Sequence, residues 1–126
     1  MDRGGRAAIH ENDFDAEVSV QGMRMEVALI GTADKTVKRQ LDYLLHDLHI
    51  QAQKRAIEAV NVDIRHLEFM SSSCLDSLAW WVGAVQELPP DRRYRIVFLA
   101  SPIIYWQQRC LHALSNLAHE IMSVQV

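Results

Sequence analysis

Residues 62–75 read VDIRHLEFMSSSCL, and they lead from a predicted buried strand into a predicted helix. The strand is expected over Ile57–Ile64, where β-branched and apolar residues dominate, as in strands buried on most of both faces. Three consecutive serines follow, Ser71–Ser73, which we call the serine loop. Residues at helical spacing come next: Leu75, Leu78, Ala79, Val82 and Gln86. The segment therefore predicts a strand, a serine loop and a helix in succession.

Upstream of this unit the sequence predicts a β-hairpin and a first helix. Apolar and polar residues alternate on both sides of Gln21-Gly22, with Ala16, Val18 and Val20 before it and Met23, Met25, Val27 and Leu29 after it. Such alternation around a glycine is typical of two half-buried strands joined by a tight turn. Apolar residues then recur at helical spacing, at Val37, Leu41, Leu44, Leu45 and Leu48. Thr32 or Asp34 could provide the N-cap of this helix.

Downstream, Pro89-Pro90 ends the second helix, and residues 95–100 (RIVFLA) form an apolar run of strand length. Ser101-Pro102 is typical of an N-cap followed by proline at the first helical position. The third helix would bury Ile103, Trp106, Cys110, Leu111 and Leu114 and end near Ser115-Asn116. A short last strand is expected within His119–Val126. The order β-β-α-β-α-β-α-β predicts an α/β fold, a small mixed sheet of four to five strands with three main helices.

Length and composition indicate one domain. The chain has 126 residues, of which 49% are hydrophobic and 23% charged. These values are typical of a globular domain, which we expect over residues 14–126. Residues 1–13 lack periodicity and are expected to form a mobile tail. The net charge of −3 argues against binding to nucleic acid, and the absence of a long apolar segment argues against membrane insertion. A cytoplasmic location is therefore expected.

The sequence offers little for catalysis, a metal or a cofactor. Asp42, His46 and His49 lie at i, i+4 and i+7 and could bind a divalent metal, but histidines that occur by chance on a solvated helix face are the simpler explanation of the spacing. Cys74 at a helix start could have a lowered thiol pKa, or it could simply fill space. No glycine-rich phosphate-binding loop is present. We therefore expect no enzyme, no cofactor and no metal.

The serine loop admits two interpretations. Serine is a favoured N-cap residue, so all three side chains could serve only to start the helix. Alternatively, a phosphate attached there would lie at the positive end of the helix dipole, beside unpaired backbone N–H groups. Spacing alone does not distinguish these interpretations.

The order of elements, together with residues 62–75, resembles the STAS domain of anti-sigma-factor antagonists, over about Ala16 to Gln125. Phe69-Met70 match the end of that family's strand, Ser72 matches its phosphorylated serine, and Leu75 matches a helix leucine. Ser71 stands where the family has an acid or amide, and Cys74 stands where it has glycine. The resemblance implies a partner-switching protein. It would be bound by a serine kinase of the anti-sigma type when unphosphorylated, released after phosphorylation, and reset by a phosphatase.

The resemblance also implies that the serine loop and the second helix form one partner-binding surface, whose predicted members are Ser71, Ser73, Cys74, Asp76, Ser77 and Trp80. Helical steps of about 100° place Trp80 opposite the core and Trp81 at its flank. A partner, or a second copy in a homodimer, would cover Trp80. The alternatives are that the tail or a loop folds over Trp80, or that the helix is rotated so that both tryptophans belong to the core. Three functions remain open: a signalling module, a scaffolding subunit whose serines only cap a helix, and a small metal-dependent or thiol enzyme.

Overall fold

A mixed β-sheet carries three α-helices in the computed structural model, which describes residues 6–11 and 13–126. The strands are β1 Arg6–Glu11, β2 Phe14–Gln21, β3 Arg24–Ala33, β4 Ala59–Asp63, β5 Leu67–Met70, β6 Arg95–Leu99 and β7 Met122–Gln125. The helices are α1 Lys38–Lys54, α2 Ser72–Gln86 and α3 Tyr105–Ala118, and short 3-10 turns occupy Lys35–Val37 and Pro90–Arg92.

The sheet is antiparallel at one end and parallel at the other. Its order is β1-β2-β3-β4-β6-β7, and β5 lies outside this path. The pairs β1–β2 and β2–β3 are antiparallel, whereas β3–β4, β4–β6 and β6–β7 are parallel. β5 pairs in parallel with the last residues of β3, beyond the segment that pairs with β4. β4 and β5 therefore both pair with β3, one after the other along its length, and residues 64–66 separate them.

One face of the sheet forms the core. Val27, Val62 and Phe98 lie in register on neighbouring strands and are buried. Each parallel pair on the path is joined by a helical crossover in the same direction across the sheet, so right-handed connections place all three helices on this face. α2 contacts both α1 and α3 and is the middle helix of the layer.

The predicted fold class is confirmed, with three helices and a mixed sheet, but the sheet has more strands than expected. The hairpin formed by β2 and β3 is confirmed, with Gly22 in its turn at φ +61°. The α1 stripe is confirmed as well, since all five of its predicted apolar residues are buried. The strand count differs because neither β1 nor β5 was predicted. The third predicted strand, Ile57–Ile64, corresponds to β4, and β5 follows it at Leu67–Met70.

The prediction of an unstructured tail over residues 1–13 is wrong for Arg6–Glu11. This segment is β1, which pairs with β2 from Arg6 opposite Val18 to Glu11 opposite Phe14. Ile9 is buried beside Ala16. The sequence of this segment does not alternate between apolar and polar residues, so it was not recognised as a strand. β1 is ordered by its hydrogen bonds to β2. The other part of the predicted tail includes residues 1–5 and 12, which lie outside the described residues.

The predicted start of α3 at Ser101-Pro102 is also wrong. Ser101 forms a turn in which its Oγ accepts a hydrogen bond from the backbone N–H of Ile103, at 3.3 Å. The helix begins only at Tyr105. As a result Ile103, predicted to face inward, is 87% exposed. For the first helix, Thr32 or Asp34 was predicted as the N-cap. Asp34 caps the 3-10 turn that leads into α1, where it accepts from the backbone N–H of Thr36.

The buried arc of α2 is rotated from the predicted stripe, since Leu78 and Val82 are buried whereas Leu75, Ala79 and Gln86 are only half-buried. Trp81, expected at the flank, is fully buried, whereas Trp80 is 42% exposed. α1 and α3 cover opposite sides of α2 while the sheet covers a third, so more of the helix is enclosed than one stripe. The buried side chains are those of Cys74, Ser77, Leu78, Trp81, Val82 and Val85.

Gly31 in β3 occupies a position that only glycine can fill. Its φ is +100°, and a Cβ atom there would lie 1.8 Å from the carbonyl oxygen of Asp13. The Gly31 N–H donates to the carbonyl of His66, and the next N–H, of Thr32, donates to that same Asp13 carbonyl. Gly31 thus allows the turn before β2 and the break between β4 and β5 to meet at one point on β3.

We expect Gly31→Ala to lower the free energy of unfolding by about 2 kcal/mol or more, because positive φ and a backbone clash would act together. Gly83→Ala is the matched control. Gly83 lies within α2 with open space around it, so alanine should leave stability unchanged or raise it by up to about 1 kcal/mol. Urea denaturation of both variants tests this. Equal effects of the two substitutions would contradict the assignment of Gly31.

Candidate functional site

The serine loop lies between the end of β5 and the first turn of α2. Ser71 has extended backbone angles, and its Oγ accepts a hydrogen bond from the backbone N–H of Cys74 at 3.2 Å. It is therefore the N-cap of α2. The Ser71 N–H donates to the carbonyl of Ala33 at 2.8 Å, which attaches the loop to the end of β3.

The three serines have different surroundings. The hydroxyls of Ser71 and Ser73 lie 3.1 Å apart within hydrogen-bonding distance, and both residues are half-buried. Ser72 is exposed and is the first residue of α2. Its position after a strand, in the first turn of the helix and open to solvent, agrees with the sequence-based prediction. Ser72 is thus the most accessible hydroxyl of the loop.

A buried glutamine holds the strand break that precedes this loop. The amide nitrogen of Gln107 donates to the carbonyls of Ile64 and Leu67, at 2.6 and 2.9 Å, and its Oε1 accepts from the backbone N–H of Ser101 at 2.8 Å. Gln107 is fully buried. Sequence reasoning missed it, although a glutamine one turn before Leu111, on the apolar side of α3, was a usable signal.

A second contact from α3 reaches the strand that leads into the loop. The indole nitrogen of Trp106 donates to the carbonyl of Glu68 at 2.9 Å. Phe69, the next residue of β5, is exposed, and so is Tyr105 at the start of α3. The entry to the serine loop is therefore fixed from α3, while aromatic side chains remain open to solvent at that end of the molecule.

Two residues predicted for the partner-binding surface, Cys74 and Ser77, lie inside the protein, so that prediction is wrong for them. The Cys74 thiol contacts the carbonyl oxygen of Asp34 at 3.4 Å, and burial raises the pKa of this thiol. A raised pKa disfavours the thiolate, which argues against the reactive cysteine considered from the sequence. Cys74 fills the space between the start of α2 and the turn before α1.

Ser77 joins α2 to α1 through a charged pair. Its hydroxyl donates to Asp42 and accepts from the ammonium group of Lys38 at 3.0 Å, while Lys38 and Asp42 form an i, i+4 salt bridge of 3.1 Å. Burial alone would raise the pKa of Asp42, but the hydrogen bonds from Ser77 and Lys38 hold it below its usual value. This network fixes the first turns of α2 against α1.

The possible metal ligands of α1 are engaged elsewhere. Asp42 binds Lys38 and Ser77, and the ring of His46 lies 3.9 Å from that of Trp80, centroid to centroid. Over residues 6–11 and 13–126, no three His, Cys, Asp or Glu side chains group closely enough to hold a metal ion. The third candidate ligand, His49, belongs to a hydrogen-bonded chain.

That chain connects α1, α2 and the residue before β6. The Tyr94 hydroxyl accepts from the indole N–H of Trp81 at 2.9 Å and lies 2.7 Å from Nδ1 of His49. Because an indole nitrogen only donates, the hydroxyl hydrogen of Tyr94 is free to bond a neutral His49. Burial, reinforced by repulsion from His46, lowers the pKa of His49. The arrangement therefore favours the neutral imidazole.

The outward side of α2 is a continuous exposed stripe. It consists of Ser72, Asp76, Trp80, Gly83 and Glu87, the last being the residue that ends the helix. Successive members are three or four residues apart, so they lie along one side of the helix. Of the predicted partner-binding residues, Asp76 and Trp80 lie on this stripe beside Ser72, and Ser71 and Ser73 flank its beginning.

Two solved structures share this fold. An anti-sigma factor antagonist from Mycobacterium paratuberculosis matches with a TM-score of 0.65 and 15% identity, over 88% of this chain and 84% of that chain. SpoIIAA, a Bacillus cell fate determinant in its phosphorylated form, matches with a TM-score of 0.56 and 20% identity, over 90% of this chain and 91% of that one. No family model and no curated protein matches the sequence. The chain thus has the fold of anti-sigma factor antagonists, and the resemblance to the STAS fold is confirmed.

Within the described residues, no helix is both long enough and apolar enough to cross a bilayer.

We expect stability to fall as the pH is lowered from about 7 to about 5. The folded protein holds His49 below its ordinary pKa of about 6.5, so the unfolded chain binds the proton more readily in this range. The contribution of His49 is present above the unfolded pKa and is lost as pH falls through the folded pKa. Thermal unfolding at a series of pH values measures the slope.

His49→Gln should flatten this pH dependence, because glutamine can accept from Tyr94 without titrating. His112→Gln is the control, since His112 is exposed on α3 and its replacement should leave the slope as it is in the wild type. A slope that persists in the His49 variant would mean that another group causes it.

Proposed function

We propose that this protein is a non-enzymatic partner-switching module whose binding state is set by phosphorylation of Ser72. The observation that carries the proposal is the position of Ser72, exposed at the first residue of α2 directly after a sheet strand, while Ser71 and Ser73 are engaged with each other. The similarity of fold to anti-sigma factor antagonists, one of them in a phosphorylated form, supports it.

A phosphate on Ser72 would be compatible with the fold. It would lie at the N-terminus of α2, where the helix dipole stabilises a negative group by about 0.3–1 kcal/mol. Asp76, one turn further on the same stripe, would oppose it by a few tenths of a kcal/mol. Because these effects nearly balance, the modification would change the charge of the surface and leave the core as it is.

The proposed partner contacts the exposed stripe of α2. Trp80 supplies the large apolar side chain that is enriched among the dominant residues of protein interfaces, and Asp76 supplies a charge between Trp80 and Ser72. The partner would be a serine kinase of the anti-sigma type, bound to the unphosphorylated module in the cytoplasm and released once Ser72 carries phosphate. A phosphatase would restore the starting state.

A scaffolding function is the second candidate. It is favoured by the hydrogen bonds of the loop, since Ser71 caps α2 and Ser73 supports Ser71, which gives two of the three serines a structural role. In that case the module would bind its partner permanently, and Ser72 would remain unmodified.

We expect an extract of the source cells, supplied with ATP, to add one phosphate to the wild-type protein and none to Ser72→Ala. Intact-mass measurement reports the number of phosphates, and peptide fragmentation distinguishes Ser72 from its two neighbours. Ser73→Ala is the matched control, because it removes an adjacent hydroxyl but keeps Ser72, and it should still be phosphorylated. Phosphate on Ser71 or Ser73 would contradict the assignment of Ser72, and no phosphate on the wild type would argue for the scaffolding function.

Trp80→Ala should slow the phosphorylation of Ser72 by about tenfold or more while lowering the free energy of unfolding by no more than about 1 kcal/mol. The neighbouring Trp81→Ala is the contrasting variant. Trp81 is fully buried and donates to Tyr94, so its loss should cost about 3–5 kcal/mol. The two measurements are the initial rate of phosphate incorporation and urea denaturation. A stable Trp80 variant phosphorylated at the wild-type rate would remove Trp80 from the partner surface.

A further inference from the structure

The outward side of α1 carries large apolar residues in contact with solvent. Tyr43 is 78% exposed and Ile50 is 49% exposed, whereas the opposite side of the helix contributes its leucines to the core. Arg39, His46 and Asp47 are exposed beside them. With about 100° per residue, these five side chains fall within an arc of about 100°, directly opposite the buried stripe. We call this arc the α1 face.

Two opposite charges flank Tyr43 symmetrically on the α1 face, and exposed Lys54 adds a third charge at the end of the helix. Arg39 lies four residues before Tyr43, and Asp47 lies four residues after it. At 1.5 Å per residue, each charge is about 6 Å from Tyr43 along the helix axis, and the two are about 12 Å apart. Neither Arg39 nor Asp47 takes part in the salt bridges formed among the described residues.

We propose that the α1 face binds the α1 face of a second copy of this chain, with the two helices antiparallel and Tyr43 on the two-fold axis. In this register Arg39 of each copy meets Asp47 of the other, which gives two equivalent salt bridges on either side of paired tyrosines. An isologous dimer requires such a self-complementary surface. A partner protein with a patch of one sign would meet one favourable and one unfavourable charge, so the symmetry favours a second copy.

The size of the surface sets the expected strength. A single row of helix residues belongs to the small end of protein interfaces, so the dimer should form with a Kd in roughly the micromolar range. The salt bridges are exposed and therefore weakened by salt. Trp80 lies against His46 at the edge of this surface, outside the row that contains Tyr43.

Charge reversal tests the interface and its register together. Arg39→Asp should place like charges together on both sides of the axis and raise the dimer Kd by about tenfold or more, and so should Asp47→Arg. An equimolar mixture of these two variants restores both attractive pairs, so it should associate as tightly as the wild type. Sedimentation equilibrium over a range of protein concentrations measures all three samples. Circular dichroism verifies that each variant keeps the fold.

A wild-type protein that stays monomeric up to about millimolar concentration would overturn the proposal, as would a dimer that neither reversal weakens. Single variants that weaken the dimer but do not recover on mixing would overturn the antiparallel register. Tyr43→Ala should also raise the Kd without lowering the melting temperature. Ser72→Ala should leave dimerisation unchanged, so this result and the result of the phosphorylation experiment are independent of each other.

Discussion

Gln107 bonds three backbone groups with one buried side chain, two at the break between β4 and β5 and one just after β6. After Asp63 the chain leaves its pairing with β3 and β6, and it resumes pairing with β3 only at Leu67. The buried amide of Gln107 bonds the carbonyls of Ile64 and Leu67 and the N–H of Ser101, and the Ile64 carbonyl also accepts from the N–H of Leu67. An unpaired buried polar group costs about 1–3 kcal/mol, so an apolar residue at position 107 would lower the free energy of unfolding. The Gln107 side chain therefore helps to fix the break between β4 and β5, and the break sets the position of β5 along β3.

The position of the serine loop depends on the hydrogen bonds of Gln107, because the loop follows β5. β5 is only four residues long and ends directly before Ser71, whose backbone N–H donates to the carbonyl of Ala33 at the end of β3. From there α2 is fixed on its α1 side by Lys38, Asp42 and Ser77. The loop thus rests on a polar network at each end, whereas most of the surrounding core is apolar. Such satisfied polar networks define one arrangement more sharply than apolar packing alone.

Sequence patterns predicted what depends on periodicity and missed what depends on tertiary partners. The α1 stripe and the β2–β3 hairpin follow repeats of 3.6 and 2 residues, so both were predicted. Ser72 was placed correctly at the start of α2 because the helical spacing of apolar residues begins directly after the three serines, at Leu75. By contrast, β1 is ordered through β2, Gln107 through a distant strand break, and the burial of Ser77 through Lys38 and Asp42. The partners of Gln107 and Ser77 are distant in sequence, so no local pattern identifies them. β1 is adjacent to β2 in sequence, but its residues do not alternate as those of a half-buried strand do.

Under the proposed function, the enclosure of α2 limits how phosphorylation of Ser72 would affect partner binding. The sheet, α1 and α3 occupy three sides of the helix, and the hydrogen bonds of Ser77 and Trp81 tie it to its surroundings. Shifting α2 would therefore break buried polar contacts, each of which costs more than a surface charge can supply at the helix N-terminus. A change at Ser72 must instead act through the exposed stripe itself. Asp76 already makes the surface beside Ser72 negative, so a phosphate would deepen this charge and repel a partner that had tolerated the carboxylate. The rigid attachment of α2 thus favours a switch that works by electrostatic repulsion at a fixed surface.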